Sequence, residues 1–207
     1  MNIRQVVVTG KNQVELQNLE LNEKSLGPEE ILIETERTVI SAGTELANYT
    51  AADPTVYTKG AWNAYPWKSG YGNVGILRAM GSAAGKVGAA RNPFVDRQQG
   101  DSETLKVGQR VFTFGPHASH HLYDTKRMVA SMPGDVPLEE AAAARMAHVA
   151  LTALDVDQEF QNAAPKYNRW VAVFGLGLVG NLAAQMFQIK GDTVIGVDPS
   201  ENRRALA

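Results

Sequence analysis

The chain of 207 residues contains no cysteine. This absence excludes a disulfide framework, a cysteine nucleophile and a zinc site built on thiolates. No sign of charge dominates either, because 20 basic residues stand against 22 acidic ones and the formal net charge is −2. A nucleic acid or an anionic membrane would need a basic face on the protein, so we expect neither partner.

Long apolar runs are also missing. No stretch approaches the roughly 18 residues of a membrane helix, and the opening MNIRQVVVTG lacks the apolar run and cleavage site of a secretory signal. We therefore expect a soluble, cytoplasmic protein with no membrane partner. Hydrophobic residues still make up 44% of the chain and charged residues 20%, a composition that excludes global disorder.

Up to about Met132 the apolar residues recur with a period of two, which predicts short strands. The predicted strands are residues 3–8, 14–21, 31–40, 75–80, 110–114, 120–123 and 128–132. Short strands separated by Gly, Pro and Asn are typical of a compact barrel or sandwich. Residues 81–106 have little hydrophobic content and no clear period, so we interpret them as a mobile loop.

The pattern changes near residue 137. Residues 137–154 are rich in alanine and carry acids in their first turn, which predicts a helix, and the polar residues 155–168 predict a linker. A strand follows at 170–174, then the sequence GLGLVG, a helical pattern to about Lys190 and a second strand at 193–197. The order is strand, glycine turn, helix, strand.

The turn matches the dinucleotide-binding motif G-x-G-x-x-G at Gly175, Gly177 and Gly180. In that motif the first glycine allows the tight turn, the second lets the backbone approach a pyrophosphate, and the third permits close packing of helix on strand. The N–H groups of Leu178 and Val179 at the helix start would face the phosphates. A glycine-rich turn without a ligand is the alternative interpretation.

Asp198 ends the second strand, near the position where such folds carry the acid that binds the adenosine ribose. A carboxylate there accepts hydrogen bonds from the ribose hydroxyls and repels a 2′-phosphate, which favours NAD over NADP. Arg203 and Arg204 keep NADP possible, because a guanidinium pairs well with phosphate. For Arg204, a solvated charge on an exposed helix is the alternative.

Five motifs in order carry a resemblance to a known family: ISAGTEL at 40–46, GYGNVG at 70–75, VGQRVF at 107–112, AHVALTAL at 147–154 and GLGLVG at 175–180. With them the chain resembles the medium-chain dehydrogenase/reductase superfamily, the alcohol-dehydrogenase-like enzymes. ISAGTEL and GYGNVG are closest to a zinc-poor branch that includes bacteriochlorophyllide-type dehydrogenases.

The resemblance implies an α+β and α/β chain in three parts. Residues 1–154 would form a GroES-like β-barrel catalytic domain with its connecting helix, 155–168 a linker, and 169–207 the β-α-β start of a Rossmann NAD(P)-binding domain. A complete Rossmann domain has about six strands, so we expect this chain to be truncated within the cofactor domain. The full-length form is expected to be a homo-oligomer.

The departures from the family concern the metal. Zinc-dependent members place Cys where Ala42 stands, His-Glu where Tyr71 and Gly72 stand, and Cys where His148 falls. Catalytic zinc needs three protein ligands, and alanine and glycine offer none, so we expect no zinc. His117, His120 and His121 form a tempting cluster (a strand sends 120 and 121 to opposite faces), and we expect no metal there.

The candidates for proton transfer are Thr44, Tyr71 and His148. Thr44 takes the place of the family's proton-relaying Ser/Thr, although it would equally serve as a residue capping a helix that starts near Glu45. Tyr71 can donate to a carbonyl oxygen or only pack its ring. His148 can act as a general acid near pH 7 or as a satisfied packing residue. Glu45, without a metal to support, is left to pair with a basic neighbour.

These residues favour a zinc-independent, NAD(P)-dependent oxidoreductase. It would transfer hydride between the nicotinamide and a small-molecule alcohol/ketone or activated alkene, whose identity the sequence does not specify. The alternative is a non-catalytic or inactive truncated module in which a GroES-like domain carries a vestigial dinucleotide site.

Overall fold

The computed structural model describes residues 1–88, 102–161 and 169–207. Two compact units divide the chain, an N-terminal unit of Met1–Ala143 and a C-terminal unit of Ala144–Ala207. The strands are β1 (Asn2–Gly10), β2 (Gln13–Glu20), β3 (Glu30–Thr38), β4 (Trp67–Lys68), β5 (Asn73–Met80), β6 (Lys86–Gly88), β7 (Ser102–Thr104), β8 (Arg110–Thr113), β9 (His120–Asp124), β10 (Val129–Ser131), β11 (Trp170–Phe174) and β12 (Thr193–Val197). The helices are α1 (Ala42–Tyr49), α2 (Leu138–Gln161), α3 (Leu178–Ile189) and α4 (Glu201–Leu206).

The N-terminal unit is built on antiparallel sheets. Its largest sheet has the strand order β10-β8-β5-β3-β9, and a second has the order β2-β1-β4. Ile31 and Ile33 of β3, Leu77 of β5 and Val111 of β8 are fully buried and form one hydrophobic core. Their alternation along the strands is the period of two that predicted these elements, since successive side chains point to opposite faces.

The predicted mobile loop at 81–106 is wrong at both of its ends. β6 pairs antiparallel with β7, with Lys86 opposite Thr104. Ala84 and Leu105, which flank this pair, are buried in the core of the N-terminal unit. β6 (KVG) contains one apolar side chain and β7 (SET) contains none, so neither shows an apolar period. The middle of the predicted loop, 89–101, lies outside the described residues.

The C-terminal unit contains the predicted strand, turn, helix and strand. β11 pairs in parallel with β12, with Val171 opposite Val194. Ala150 and Leu154 of α2 pack with Phe187 and other residues of α3, and this cluster covers Val171 and Val194. The helices therefore cover the face of the two-stranded sheet on which the two valines lie.

Helix α2 continues past the predicted end at residue 154 to Gln161, so the first part of the predicted linker is helical. Asp157 accepts hydrogen bonds from Arg169 (2.7 Å) and from Lys190 (2.7 Å). The polar residues that suggested a linker thus include one held by ion pairs to two other segments of the C-terminal unit. The remainder of the predicted linker, 162–168, lies outside the described residues.

Within the described parts of the chain, no helix is both long and apolar enough to cross a membrane.

Candidate functional site

The glycine turn between β11 and α3 has a geometry that requires glycine at two positions. Gly175 has φ +90°, a region that side-chain-bearing residues rarely adopt. Its N–H donates to Val197 O of β12 at 2.7 Å, which joins the turn to the neighbouring strand. A Cβ atom at Gly180 would collide with the carbonyl oxygen of Gly175. The turn therefore closes tightly against the first turn of α3.

The same turn leaves space beside the start of α3. A Cβ added at Gly175 or Gly177 would meet no atom within 4 Å. The first intrahelical hydrogen bond runs from Asn181 N to Gly177 O at 2.8 Å, so the N–H groups of Leu178 and Val179 precede it. Open space, unused N–H donors and the positive end of a twelve-residue helix together fit a pyrophosphate group.

Asp198 is buried, and its carboxylate holds this turn together. One oxygen accepts from the Leu176 N–H at 2.8 Å and the other from the Ser200 N–H at 2.8 Å. These two backbone hydrogen bonds, together with the Arg203 guanidinium 3.6 Å away, lower the pKa of the Asp198 carboxyl. The sequence pattern did not reveal this structural role. That Asp198 also accepts from a ribose stays a prediction.

The two arginines of α4 are used differently. Arg204 donates to the carbonyl oxygens of Asp198 (2.7 Å) and Pro199 (3.0 Å), so its guanidinium is not simply a solvated charge. The Arg203 side chain is 59% exposed beside Asp198. Both arginines are exposed, and Arg203 is the one that pairs with the Asp198 carboxylate beside the glycine turn.

In the N-terminal unit the candidate residues gather at the start of α1. The helix begins at Ala42 with Ser41 as its N-cap residue, so Thr44 lies inside the first turn. The alternative of Thr44 as a cap for a helix starting near Glu45 is therefore wrong. The N-terminus of α1 is instead capped by Glu45, whose carboxylate accepts a hydrogen bond from the Ser41 N–H at 2.9 Å.

Thr44 and Tyr71 are brought together by the fold. The Tyr71 hydroxyl donates to Thr44 Oγ1 at 3.1 Å, and the Ser41 hydroxyl lies 3.5 Å from the same atom. Both Thr44 and Tyr71 are half-buried. Since a hydroxyl can accept and donate at once, the Thr44 proton remains available to a further acceptor.

Glu45 does pair with a basic neighbour, as expected. His117 Nε2 lies 3.0 Å from a Glu45 carboxylate oxygen, and His117 Nδ1 lies 2.8 Å from Thr38 Oγ1. The two side chains of the pair are only 10% and 15% exposed. A side chain at Gly70, where φ is +91°, would collide with His117. The sequence pattern grouped His117 with the other two histidines and did not reveal this pairing, which joins residues 72 positions apart.

The remaining histidines of the cluster separate as predicted. His121 is buried, whereas His120 on the opposite face of β9 is partly exposed. Burial is the main cause that lowers the pKa of His121 to about 4, with smaller contributions from His120 and Arg127. His121 is therefore neutral at pH 7.

His148 belongs to the C-terminal unit, whereas Thr44 and Tyr71 belong to the N-terminal unit. Its Nδ1 is 2.9 Å from Arg145 Nη1, one helical turn earlier on α2. Partial burial and then the Arg145 charge lower the pKa of His148. A histidine that is neutral near pH 7 is a poorer source of protons than an unperturbed one.

No group of three or more His, Cys, Asp or Glu side chains that could hold a metal ion occurs among residues 1–88, 102–161 and 169–207. Ala42 and Gly72 offer no ligand atom, and the Tyr71 hydroxyl already pairs with Thr44. These residues do not fit a catalytic zinc of three protein ligands. The absence of zinc stays a prediction.

No protein-family model matches the chain, and no curated protein matches it. Solved structures do. The CurK enoyl reductase superposes with a TM-score of 0.72 at 16% identity, over 99% of this chain and 57% of that one. The Escherichia coli quinone oxidoreductase complexed with NADPH has a TM-score of 0.66 at 18% identity, over 97% and 54%. The Bacillus subtilis 2R,3R-butanediol dehydrogenase has a TM-score of 0.69 at 16% identity, over 98% and 60%.

This chain has the medium-chain dehydrogenase/reductase fold. The match extends over nearly the whole chain and confirms the predicted combination of a GroES-like unit with the beginning of a Rossmann unit. The chain spans between half and two thirds of the length of these structures.

Proposed function

We propose that the chain belongs to a zinc-independent, NAD(P)-dependent oxidoreductase. It would transfer hydride between the nicotinamide and a small-molecule alcohol/ketone or activated alkene. The observation that carries this proposal is the glycine turn, which combines a collision-free opening at Gly177 with the free N–H groups of the α3 start. The fold, shared with oxidoreductases, supports the same conclusion.

When bound, the nicotinamide would supply the hydride, and the residues of this chain would position the dinucleotide and move a proton. Gly177 and the N–H groups of Leu178 and Val179 would hold the pyrophosphate at the helix start. Asp198, fixed by two backbone N–H groups, would keep the turn in shape and offer its remaining acceptor capacity to the ribose.

The Thr44–Tyr71 pair is our candidate for the proton transfer. Thr44 Oγ1 accepts from Tyr71, so the Thr44 hydroxyl can donate to a substrate oxygen while the tyrosine replaces the lost proton. Metal is not needed for this step. The lowered pKa of His148 and its pairing with Arg145 make it the weaker candidate.

The dinucleotide site is tested by Gly177→Ala. The backbone at Gly177 suits alanine (φ −69°) and the added methyl meets no protein atom, so the variant should fold normally. The methyl would occupy the approach of the pyrophosphate, and NADH and NADPH affinity measured by calorimetry should fall. Gly134→Ala, at another position with open space, is the matched control and should bind as the wild type does.

The outcome separates the proposal from its alternative. Equal dinucleotide affinity in wild type and Gly177→Ala would show that the turn is not the binding site. Dinucleotide binding without turnover of any carbonyl or alkene would favour the non-catalytic module.

The choice between the two dinucleotides is tested by two further variants. Tighter binding of NADH than of NADPH, with the difference reduced in Asp198→Ser, would support NAD. Tighter binding of NADPH that Arg203→Gln abolishes would support NADP.

Zinc independence is tested by the metal content of the protein and by the kinetics of two variants. Purified protein should hold no stoichiometric zinc, and a chelator should leave turnover unchanged. Thr44→Val and Tyr71→Phe should lower kcat more than they raise KM, because they remove a proton path rather than binding contacts. One zinc per chain that survives dialysis and disappears in His148→Ala would overturn this part of the proposal.

A further inference from the structure

His117 lies between the two segments that carry the Thr44–Tyr71 pair. Its Nε2 is 3.0 Å from a carboxylate oxygen of Glu45, the residue that follows Thr44 on α1. Its ring and backbone also lie so close to Gly70, the residue before Tyr71, that any side chain at Gly70 would collide with them. One largely buried imidazole therefore contacts the chain neighbours of both proposed proton-transfer residues.

Each ring nitrogen of His117 has a fixed partner. A carboxylate only accepts, so the Nε2–H donates to Glu45, and Nδ1 pairs with Thr38 Oγ1 at 2.8 Å. A hydroxyl can donate to a neutral imidazole and accept from a protonated one, so both hydrogen bonds persist in either charge state. The second Glu45 oxygen accepts from the Ser41 N–H at 2.9 Å. The imidazole thus fixes the start of α1 through the Glu45 carboxylate.

The opposite end of α1 is held by other groups. The Asn12 N–H donates to Tyr49 O at 2.7 Å, and the Tyr49 hydroxyl donates to Asn12 O at 3.1 Å. Because these bonds do not involve the imidazole, losing its contact with Glu45 should free the first turn of α1 without releasing the helix. That turn carries Thr44, whose 3.1 Å contact with the Tyr71 hydroxyl is already long for a hydroxyl pair, so a small displacement would break it.

We propose that His117, acting through Glu45, is a positioning residue that holds Thr44 against Tyr71. Proton transfer between hydroxyl groups depends on their alignment, and a misplacement of about 1 Å can cost about 100-fold in rate. The part that this pair plays in catalysis rests on the proposed function. The positioning itself rests on contacts within the N-terminal unit, so it is measurable without dinucleotide or substrate.

The hydrogen bond between Tyr71 and Thr44 is read by carbon NMR of the Tyr71 Cζ, the ring carbon that bears the hydroxyl. The chain has six tyrosines, so the full chain is labelled with carbon-13 at tyrosine Cζ and the Tyr71 signal is assigned with Tyr71→Phe. Thr44→Val removes the acceptor and gives the position of the signal when the hydrogen bond is lost. With no ligand present, His117→Leu should move the Tyr71 signal most of the way toward that position.

Two variants separate positioning from general destabilisation. Glu36→Gln weakens another partly buried ion pair of the N-terminal unit, Arg110–Glu36, whose side chains are 24% and 27% exposed. This control should leave the Tyr71 signal in place, whatever it does to the melting temperature. His117→Gln keeps an N–H donor that can reach Glu45, so it should return the signal toward the wild-type position.

Glu45→Ala breaks the same contact from the helix side. It should displace the Tyr71 signal in the same direction as His117→Leu, and the double variant should displace it no further than the larger of the two, since both remove one interaction. If the leucine variant does not fold, Glu45→Ala still gives the test a folded protein, because Glu45 lies in the first turn of a helix whose other end is held separately.

A Tyr71 signal at the wild-type position in either folded variant, His117→Leu or Glu45→Ala, would overturn the proposal. So would an equal displacement in Glu36→Gln, or a signal in His117→Gln displaced as far as in His117→Leu. A chain whose Tyr71 signal responds to His117 as expected, but which binds neither NADH nor NADPH, would contradict the proposed function and leave the positioning role intact.

Discussion

The two units differ in how completely they enclose their own sheets. In the N-terminal unit, β5 is hydrogen-bonded to β3 on one side and β8 on the other, and Leu77 is fully buried. In the C-terminal unit, β11 pairs only with β12 among the described residues, and its Trp170 and Phe174 are 70% and 78% exposed. Two strands and their helices cover one face of a sheet and leave the other to solvent.

This difference bears on where each unit's stability comes from. Five paired strands of the N-terminal unit enclose a core from which Ile33 and Val111 cannot reach water. A two-stranded sheet is marginal without packing, so the C-terminal unit depends on the cluster of α2 and α3 around Val171 and Val194. We therefore expect the C-terminal unit to open at a lower free energy than the N-terminal one.

The largest effect is expected from a pair of matched isoleucine substitutions. Ile33→Ala removes a side chain that is 0% exposed and should cost about 2–5 kcal/mol of unfolding free energy. Ile195→Ala on β12 removes one that is 47% exposed and should cost under about 1 kcal/mol. Urea unfolding, with hydrogen exchange to assign each transition to a unit, measures both. Equal losses of unfolding free energy in the two variants would contradict the difference between the two units.

Acid should destabilise the N-terminal unit through His121. Because burial lowers the pKa of His121 from 6.5 to about 4, the unfolded chain takes up a proton that the folded unit does not. Above pH 6.5 this difference does not affect the free energy of unfolding. As the pH drops from 6.5 toward 4, proton uptake by the unfolded chain lowers that free energy, by about 3 kcal/mol at most. Thermal melts of wild type and His121→Leu across this range check it; parallel curves would contradict it.

The exposed face of β11 should make the C-terminal unit the site of self-association. Phe174→Thr removes the most exposed aromatic of this face, should cost under about 1 kcal/mol, and should reduce concentration-dependent association in sedimentation velocity. Leu16→Thr on β2, an exposed apolar residue of the N-terminal unit, is the matched variant. If only Leu16→Thr reduces association, the assignment to the C-terminal unit is wrong.

The smallest effect is expected from the carboxylate of the glycine turn. Backbone N–H groups lower the pKa of Asp198 below 3.8, so its contribution is present above that pH and is lost as the pH falls through the lowered pKa. Asp198→Asn should remove this acid dependence from the C-terminal unit and leave the N-terminal unit unchanged. It should also weaken the hydrogen bond from the Leu176 N–H, so that hydrogen exchange of the Leu176 amide becomes faster. An unchanged amide would show that the hydrogen bond does not stabilise the turn.

Much of the secondary structure was predictable because it depends on near neighbours. The strands at 170–174 and 193–197 have the bounds that their apolar runs predicted, and Gly175 marks the turn between them. β4, β6 and β7 were not predicted, since each has two or three residues and at most one apolar side chain, too few to show a period. The extension of α2 to Gln161 was hidden because its polar end is held by Arg169, which follows later in the chain.

The candidate sites were predictable only in part. Thr44 and Tyr71 were each named from the sequence, but their 3.1 Å hydrogen bond joins residues 27 positions apart. The pairing of Glu45 with His117 spans 72 positions, and nothing in either local sequence points to the other. Asp198 was named for a ligand, whereas its two oxygens are engaged by backbone N–H groups.

The sequence by itself determined most of the strands and helices and where glycine must bend the chain. These features follow from backbone geometry within a few residues, which the order of side chains encodes directly. Only the tertiary structure decided which side chains meet. It buried His121 in the N-terminal unit and placed Glu45 beside His117, because packing brings together residues that are far apart in the chain.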